Sequence, residues 1–271
     1  MNYLELYEQI KKKGSFLCVG LDSDPTQFPD CLKNTVFPIF EFNKEIIMAT
    51  APYTVAYKPN MAFYEAEGVL GWKQLEMTVD FLNKNYPNIL IIADAKRGDI
   101  GNTAKRYAKC FYETMKFDAV TLAPYMGSDS VKPFMEYENK WSIVLALTSN
   151  TSANDFEQLN IGEMPLYEKI IRETMTWGSK DNTMFVVGAT RPQKLQEIRE
   201  YCPNHFFLVP GVGAQGGTVA QVAKYGLNSH CGLLINSSRG IIFADKTERF
   251  AIVAGEKAKA MAIEMSSYLN L

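Results

Sequence analysis

The chain of 271 residues carries 28 Lys and Arg residues against 30 Asp and Glu residues, a formal net charge of -2, and 47% of it is hydrophobic. The charge balance creates no overall basic field, so we expect no nucleic-acid partner, whereas the apolar content suffices for one substantial core. The five cysteines are scattered and lack CxxC spacing, which argues against a disulfide framework and a zinc site and favours a reducing compartment.

The chain begins with an amphipathic segment, MNYLELYEQIKKKG, that contains Glu5 and Glu8. Acidic residues at these positions are unlike a secretory signal. No run in the sequence approaches the ~18 consecutive apolar residues of a membrane span. We therefore expect a cytoplasmic protein without a membrane partner.

Short apolar, β-branched runs then recur, and segments with helical spacing separate them. The predicted strands are residues 16–21, 53–59, 88–95, 119–124, 142–148, 183–189, 206–212 and 231–237. The predicted helices between them include residues 72–85, 103–115, 165–178, 192–202 and 218–226. Continuous apolar strands that alternate with helices indicate a parallel sheet covered on both faces. Eight such strands predict an α/β fold of the TIM (β/α)8 barrel type, as a single domain over residues 1–271, rather than an open doubly wound sheet.

Polar residues cluster where the predicted strands end, which is the face on which such barrels build their active sites. These residues are Asp22, Lys58, Asn60, Asp94, Lys96, Thr148, Ser149, Thr190, Gln215 and Arg239. Charges that meet at one barrel mouth lose hydration, a cost that is hard to explain unless the charges serve a ligand. The sequence therefore predicts a ligand site at this face.

The glycine-rich segment PGVGAQGGT, residues 210–218, contains the GxGxxG spacing at Gly211, Gly213 and Gly216. A dinucleotide-binding fold does not fit, because the segment comes late in the chain and Asn236 stands where that fold needs an acid. The loops after the seventh and eighth strands of a barrel instead commonly bind phosphate. Arg239, in the segment INSSRG, adds a guanidinium that can contact phosphate through two hydrogen bonds.

The segment DAKRGDIGNT, residues 94–103, resembles the D-x-K-x-x-D-I-x-x-T motif of the orotidine 5'-phosphate decarboxylase family. The segments LDSDP, YKPN, LTSN, PGVGAQGG and SSRG follow the order of that family around the barrel. The form YKPNMAFYE and the long segment after LTSN are similar to the subgroup found in many bacteria and in malaria parasites.

The resemblance implies decarboxylation of orotidine 5'-monophosphate to uridine 5'-monophosphate without a metal or another cofactor. It also implies a catalytic array of alternating charge formed by Lys58, Asp94, Lys96 and Asp99. In this array Lys96 would be both the cation beside the carbanion at C6 of the pyrimidine and its proton donor. Asp94 would lie beside the substrate carboxylate and hold the lysines.

The same resemblance implies the binding residues. Asp22 and Asn60 would contact ribose hydroxyls or the charged network, and either Thr148 or Ser149 would contact the pyrimidine. The substrate-binding residues of the two phosphate loops would be Pro210, Gly211, Gln215, Gly216, Ser238 and Arg239. A homodimer is implied as well, in which Asp99, Ile100 and Thr103 of one chain complete the active site of the other.

Three other functions fit the same residues. A metal-assisted decarboxylase or epimerase of sugar phosphates can also use a D-x-K strand, and an aldolase could form a Schiff base on Lys58 or Lys96. A phosphate-ligand sensor without turnover is the third, although a sensor does not need a proton donor. We expect structural or surface roles for His205 and His230, which lie at the opposite end of their strands from the site.

Overall fold

The computed structural model describes residues 1–213 and 216–269. Its strands are β1 Leu17–Leu21, β2 Ala56–Pro59, β3 Leu90–Arg97, β4 Ala119–Leu122, β5 Trp141–Leu147, β6 Asn160–Ile161, β7 Met164–Pro165, β8 Thr183–Val187, β9 Phe206–Pro210 and β10 Leu233–Ser237. Its α-helices are α1 Tyr3–Lys13, α2 Pro38–Thr50, α3 Met61–Glu65, α4 Gly68–Asn85, α5 Gly101–Lys109, α6 Lys132–Met135, α7 Leu166–Trp177, α8 Pro192–Tyr201, α9 Val219–Gly226, α10 Arg239–Ile242 and α11 Phe250–Ser266. A π-helical turn, Cys110–Thr114, continues α5.

Eight parallel strands form a closed barrel in the order β1, β10, β9, β8, β5, β4, β3 and β2. The predicted (β/α)8 barrel is thus confirmed, and each barrel strand lies within or overlaps a predicted apolar run. Residues of β1, β4, β8 and β10 are buried at every position, as expected for strands that have helices on one side and the barrel interior on the other.

Helix α1 closes the end of the barrel opposite the predicted site. Asn2 and Glu5 form a capping box at its start, with the Asn2 side chain accepting from the Glu5 amide at 2.9 Å. Tyr3 stacks edge-on against Phe206, and the Trp141 indole donates to the carbonyl of Met1 at 2.8 Å. This closure leaves the opposite end, where the strands terminate, as the open mouth of the barrel.

Strand β3 extends two residues beyond the predicted end, to Arg97, and its register against β4 shifts between Ala93 and Arg97. Gly98 follows this irregularity, where a Cβ atom would lie 2.8 Å from the carbonyl oxygen of Ala123. Only a glycine lets the chain pass so close to β4. The bulge and the glycine together set the direction in which β3 delivers its last side chains.

The long segment between β5 and α7 is ordered by local structure that the sequence pattern did not predict. A 3₁₀ turn, Thr151–Asp155, precedes the antiparallel pair of β6 and β7. In the described ranges, no helix combines the length and the apolar character of a membrane span.

Candidate active site

A cavity of about 210 Å³ opens at the barrel mouth. It is lined by Asp22, Lys58, Asn60, Asp94, Pro210, Gly211, Val212, Gly213, Asn236, Ser237, Ser238, Arg239 and Gly240. Most of these residues are among the predicted site residues, whereas Val212, Gly213, Asn236, Ser237 and Gly240 are not. The cavity thus joins the ends of β1, β2 and β3 to the two predicted phosphate loops.

The carboxylate of Asp94 is held between two ammonium groups. Lys58 Nζ lies 2.6 Å from one Asp94 oxygen, Oδ2, and Lys96 Nζ lies 2.6 Å from the other, Oδ1. The side chains of Lys58 and Asp94 are 6% and 10% exposed, whereas that of Lys96 is 50% exposed. Asp94 and Lys58 are therefore fixed in the barrel and line the cavity, whereas Lys96 is not among the lining residues and is tied to the cavity through Asp94.

Opposite charges decide the ionisation of the buried pair. Burial alone would raise the pKa of the Asp94 carboxyl, but Lys58 and Lys96 outweigh it and hold that pKa well below its usual range. Burial would likewise lower the pKa of Lys58, whereas Asp94 and Asp22 raise it above its usual range. Both groups are consequently charged near neutral pH, so the cavity presents a fixed pattern of alternating charge.

Lys96, next to the last residue of β3, has a left-handed backbone conformation with φ 48°, which is rare for a residue with a side chain. Its amide donates to Thr121 Oγ1 at 2.9 Å, and Thr121 Oγ1 donates in turn to Asp94 Oδ1 at 3.0 Å. Sequence reasoning missed Thr121, because a threonine inside the run AVTLAP reads as an ordinary β-branched strand residue.

Further polar groups line the side of the cavity near β1 and β2. Asp22 Oδ1 is buried and has no hydrogen-bond partner among the residues that the structure describes. Asn60 accepts from the amide of Ala62 at 3.2 Å and so begins α3. Asn236, at the end of β10, is 9% exposed. An unpaired buried carboxylate oxygen beside two amide side chains suits a ligand that carries hydroxyl donors.

The predicted phosphate loops flank the far side of the cavity. Gly211, Gly213 and Gly216 all have positive φ, between 82° and 98°, which requires glycine. Ser238 Oγ donates to the carbonyl of Gly20 at 3.2 Å and ties the last loop to β1. Arg239 is exposed at the cavity rim, and Gln215, another predicted phosphate ligand, lies outside the described residues.

Thr148 and Ser149 do not line this cavity. The amide and the hydroxyl of Thr148 donate to the two oxygens of Glu157 at 2.7 and 2.8 Å. Gly188 passes directly beside the Ser149 backbone, and Thr190 Oγ1 donates to the Ser149 carbonyl at 3.3 Å. Glu157, which sequence reasoning missed, therefore anchors the segment after β5 to the strand end.

Asp99, Ile100 and Thr103 are not brought to the cavity of their own chain. The Asp99 carboxylate accepts from the Ile100 amide at 2.8 Å. The Ile100 side chain is 49% exposed, and Thr103 is exposed on the first turn of α5. Three members of the predicted array, Lys58, Asp94 and Lys96, thus meet in one chain, whereas Asp99 does not line the cavity.

The histidines lie far from the cavity, beside strands β9 and β10 at the closed end. His205 is buried against Phe185, and burial lowers its pKa to about 4, whereas His230 packs edge-on against Tyr3 and Tyr7. This placement agrees with the predicted structural roles. Over residues 1–213 and 216–269, no three His, Cys, Asp or Glu side chains are grouped so that they could hold a metal ion.

Comparison with known proteins identifies the family. Residues 15–251 match the model of the orotidine 5'-phosphate decarboxylase / HUMPS family. The chain is 56% identical over 272 residues to orotidine 5'-phosphate decarboxylase of Phocaeicola vulgatus, and the match covers 99% of each chain.

Solved structures give the same answer. OMP decarboxylase of Leishmania donovani is 37% identical with a TM-score of 0.81, covering 97% of this chain and 100% of the other. A putative orotidine-monophosphate-decarboxylase of Plasmodium yoelii is 25% identical with a TM-score of 0.87, covering 98% of each chain. With its sequence motifs, its barrel and its near-complete matches in agreement, the chain belongs to the orotidine 5'-phosphate decarboxylase / HUMPS family.

Proposed function

We propose that this chain, as one barrel domain over residues 1–271, decarboxylates orotidine 5'-monophosphate to uridine 5'-monophosphate, the last step of de novo pyrimidine nucleotide synthesis. The observation that carries the proposal is the buried Asp94 carboxylate clamped by Lys58 and Lys96 at the barrel mouth. A loss of carbon dioxide from C6 needs a nearby cation and a proton donor, and Lys96 offers both on one half-exposed side chain.

The reaction follows from these charges. The bond between C6 and the substrate carboxylate breaks, carbon dioxide leaves, and the electron pair stays at C6. The Lys96 ammonium stabilises this carbanion and then donates its proton to C6, after which Lys96 regains a proton from solvent. Asp94 lies beside the departing carboxylate, where its negative charge disfavours the bound substrate relative to the transition state. This chemistry uses neither a metal nor another cofactor.

The rest of the cavity binds the nucleotide. The unpaired Asp22 oxygen accepts hydrogen bonds from ribose hydroxyls, Asn60 forms hydrogen bonds with them, and either Thr148 or Ser149 contacts the pyrimidine. Pro210, Gly211, Gln215, Gly216, Ser238 and Arg239 hold the phosphate. Because the phosphate is remote from C6, its binding energy can drive closure of the glycine-rich loop and organise the charged group.

We expect Arg239→Ala to raise KM by roughly ten- to hundredfold, because a charged hydrogen bond is usually worth ~1.5 to 3 kcal/mol. Turnover should fall as well, since phosphate binding also drives loop closure. Steady-state kinetics on orotidine 5'-monophosphate checks both effects, and added guanidinium should restore part of the loss.

Arg249→Ala is the matched control, because it removes the same charge from an exposed position outside the cavity. It should leave both constants unchanged. If KM and turnover of Arg239→Ala both stay within about twofold of the wild type, a change of ~0.4 kcal/mol, Arg239 does not contact the phosphate.

We also propose a homodimer with shared active sites. Asp99, Ile100 and Thr103 do not line the cavity of their own chain, and Tyr125 and Met126, in the loop after the neighbouring strand β4, are 93% and 46% exposed. A two-fold axis near the turn after β3 would bury these apolar groups and place each Asp99 in the mouth of the other chain.

A cytoplasmic location is part of the proposal. The cysteines Cys18, Cys31, Cys110, Cys202 and Cys231 are all free, which fits a reducing compartment.

The direct test follows the ultraviolet absorbance of orotidine 5'-monophosphate with purified protein and excess chelator. We expect the absorbance to change to that of uridine 5'-monophosphate at an undiminished rate. Loss of activity in the chelator would instead support a metal-assisted reaction on a sugar phosphate. Trapping of a covalent adduct with borohydride would support a Schiff base, and tight binding without turnover would support a sensor.

A further inference from the structure

The backbone at Lys96 needs support that the sheet does not provide. The register between β3 and β4 shifts between Ala93 and Arg97, so the regular ladder of backbone hydrogen bonds is interrupted at Lys96. Lys96 also has φ 48°, a conformation that costs energy for any residue with a Cβ atom. A part-buried amide left without an acceptor at this point would add to that cost.

Thr121 Oγ1 is the acceptor for that amide. It lies 2.9 Å from the Lys96 nitrogen, and the Thr121 side chain is 1% exposed, so water does not compete for the contact. Because this oxygen accepts from the amide, its own proton points to Asp94 Oδ1, 3.0 Å away. The same Asp94 oxygen accepts from Lys96 Nζ at 2.6 Å.

These three contacts form a closed loop. Thr121 holds the Lys96 backbone, Asp94 holds the Lys96 ammonium, and the Thr121 hydroxyl joins the two anchors. The loop fixes where the flexible lysine side chain begins and where it ends. Because Thr121 lies on β4, it also ties the bulge in β3 to the neighbouring strand.

We propose that Thr121 is a positioning residue for the decarboxylation, which sets the backbone and the ammonium of Lys96 relative to Asp94 before the substrate binds. This inference rests on the proposed function. The positioning of Lys96 depends on the Thr121 hydroxyl and not on its methyl group, because only the hydroxyl can accept from the Lys96 amide and donate to the Asp94 carboxylate.

The test compares Thr121→Val, which keeps the shape of the side chain and removes the hydroxyl, with Thr121→Ser, which keeps the hydroxyl. We expect Thr121→Val to lower kcat about ten- to hundredfold, the scale of a part-buried amide and a carboxylate that lose one hydroxyl partner, with KM within about threefold of the wild type. Thr121→Ser should recover kcat to within about threefold of the wild type, since it restores both hydrogen bonds.

Thr174→Val is the matched control. Thr174 is also fully buried, and its hydroxyl has no hydrogen-bond partner among the described residues, so its loss reports only the general effect of replacing a hydroxyl by a methyl group. It should leave kcat unchanged. Binding of uridine 5'-monophosphate, measured by calorimetry, should stay within about twofold for every variant, because the product makes no use of a correctly placed proton donor.

Three outcomes would contradict the positioning role of Thr121. If Thr121→Val keeps kcat within about twofold, or if Thr121→Ser loses as much as Thr121→Val, the inference is wrong while wild-type turnover still supports the proposed function. If product affinity falls in parallel with kcat, Thr121 only maintains the fold, and the inference is again wrong. A wild-type protein that does not turn over orotidine 5'-monophosphate would overturn the proposed function itself, and this inference with it.

Discussion

Replacing Lys96 by alanine should lower turnover of orotidine 5'-monophosphate by roughly four orders of magnitude or more. Loss of one fixed electrostatic contact to the transition state typically costs about 10²- to 10³-fold, and loss of a proton donor typically costs about 10²- to 10⁴-fold. In the proposed mechanism Lys96 supplies both contributions. Among the residues that the structure describes, Lys58 is the other lysine paired with Asp94, and it is buried against the far oxygen and not placed to replace Lys96.

The variant should still fold and bind. Asp94 keeps its contacts with Lys58 and Thr121, and the half-exposed Lys96 side chain contributes little to the core. Circular dichroism and binding of uridine 5'-monophosphate check both points. Lys259→Ala, an exposed change on α11, is the control and should have full activity. A Lys96→Ala chain that retained about a tenth of wild-type turnover would remove Lys96 from the proposed role.

The sequence predicted the barrel because its signal is spread over the whole chain. Each barrel strand carries its own continuous apolar run, so the eight strands are predicted separately. An error in the boundary of one strand therefore does not change the predicted fold. The boundary errors are local. Strand β2 begins at Ala56 rather than residue 53 because Ala51–Tyr53 forms a 3₁₀ turn, and β9 ends at Pro210.

The site was predictable to the extent that its residues are charged and lie at strand ends. Lys58, Asp94 and Lys96 were expected to meet, and they do. Thr121 could not be found in the same way, since its role depends on a bulge in the neighbouring strand that has no sequence signature. The contact of Glu157 with Thr148 was equally hidden, because it depends on how the segment after β5 folds back.

The position of Asp99 is explained by a second copy of the chain. The predicted array groups it with Lys58, Asp94 and Lys96, whereas its carboxylate accepts from the adjacent Ile100 amide, and Ile100 is 49% exposed. Both observations agree if the aspartate acts in the mouth of a second copy. Gly98 passes beside the Ala123 backbone just after β4, and Asp99, the next residue, does not line the cavity.

Mixing an inactive Asp99→Ala chain with an inactive Lys96→Ala chain should therefore restore activity. In a mixed dimer with shared sites, one site carries both lesions and the other carries neither. Random reassortment makes about half of the dimers mixed, and each holds one intact site of two, so up to about a quarter of wild-type activity per subunit should return. The gain should appear only at the rate of subunit exchange, which differently tagged chains can follow by co-purification.

Two results separate this model from its alternative. Each variant mixed with itself must stay inactive, since no arrangement of identical lesions creates an intact site. If exchange is demonstrated and the heterologous mixture still shows only the activity of the separate variants, Asp99 acts within its own chain. Such a result would require the turn after β3 to move on substrate binding, because in this structure Asp99 is not placed with Lys58 and Asp94 at the cavity.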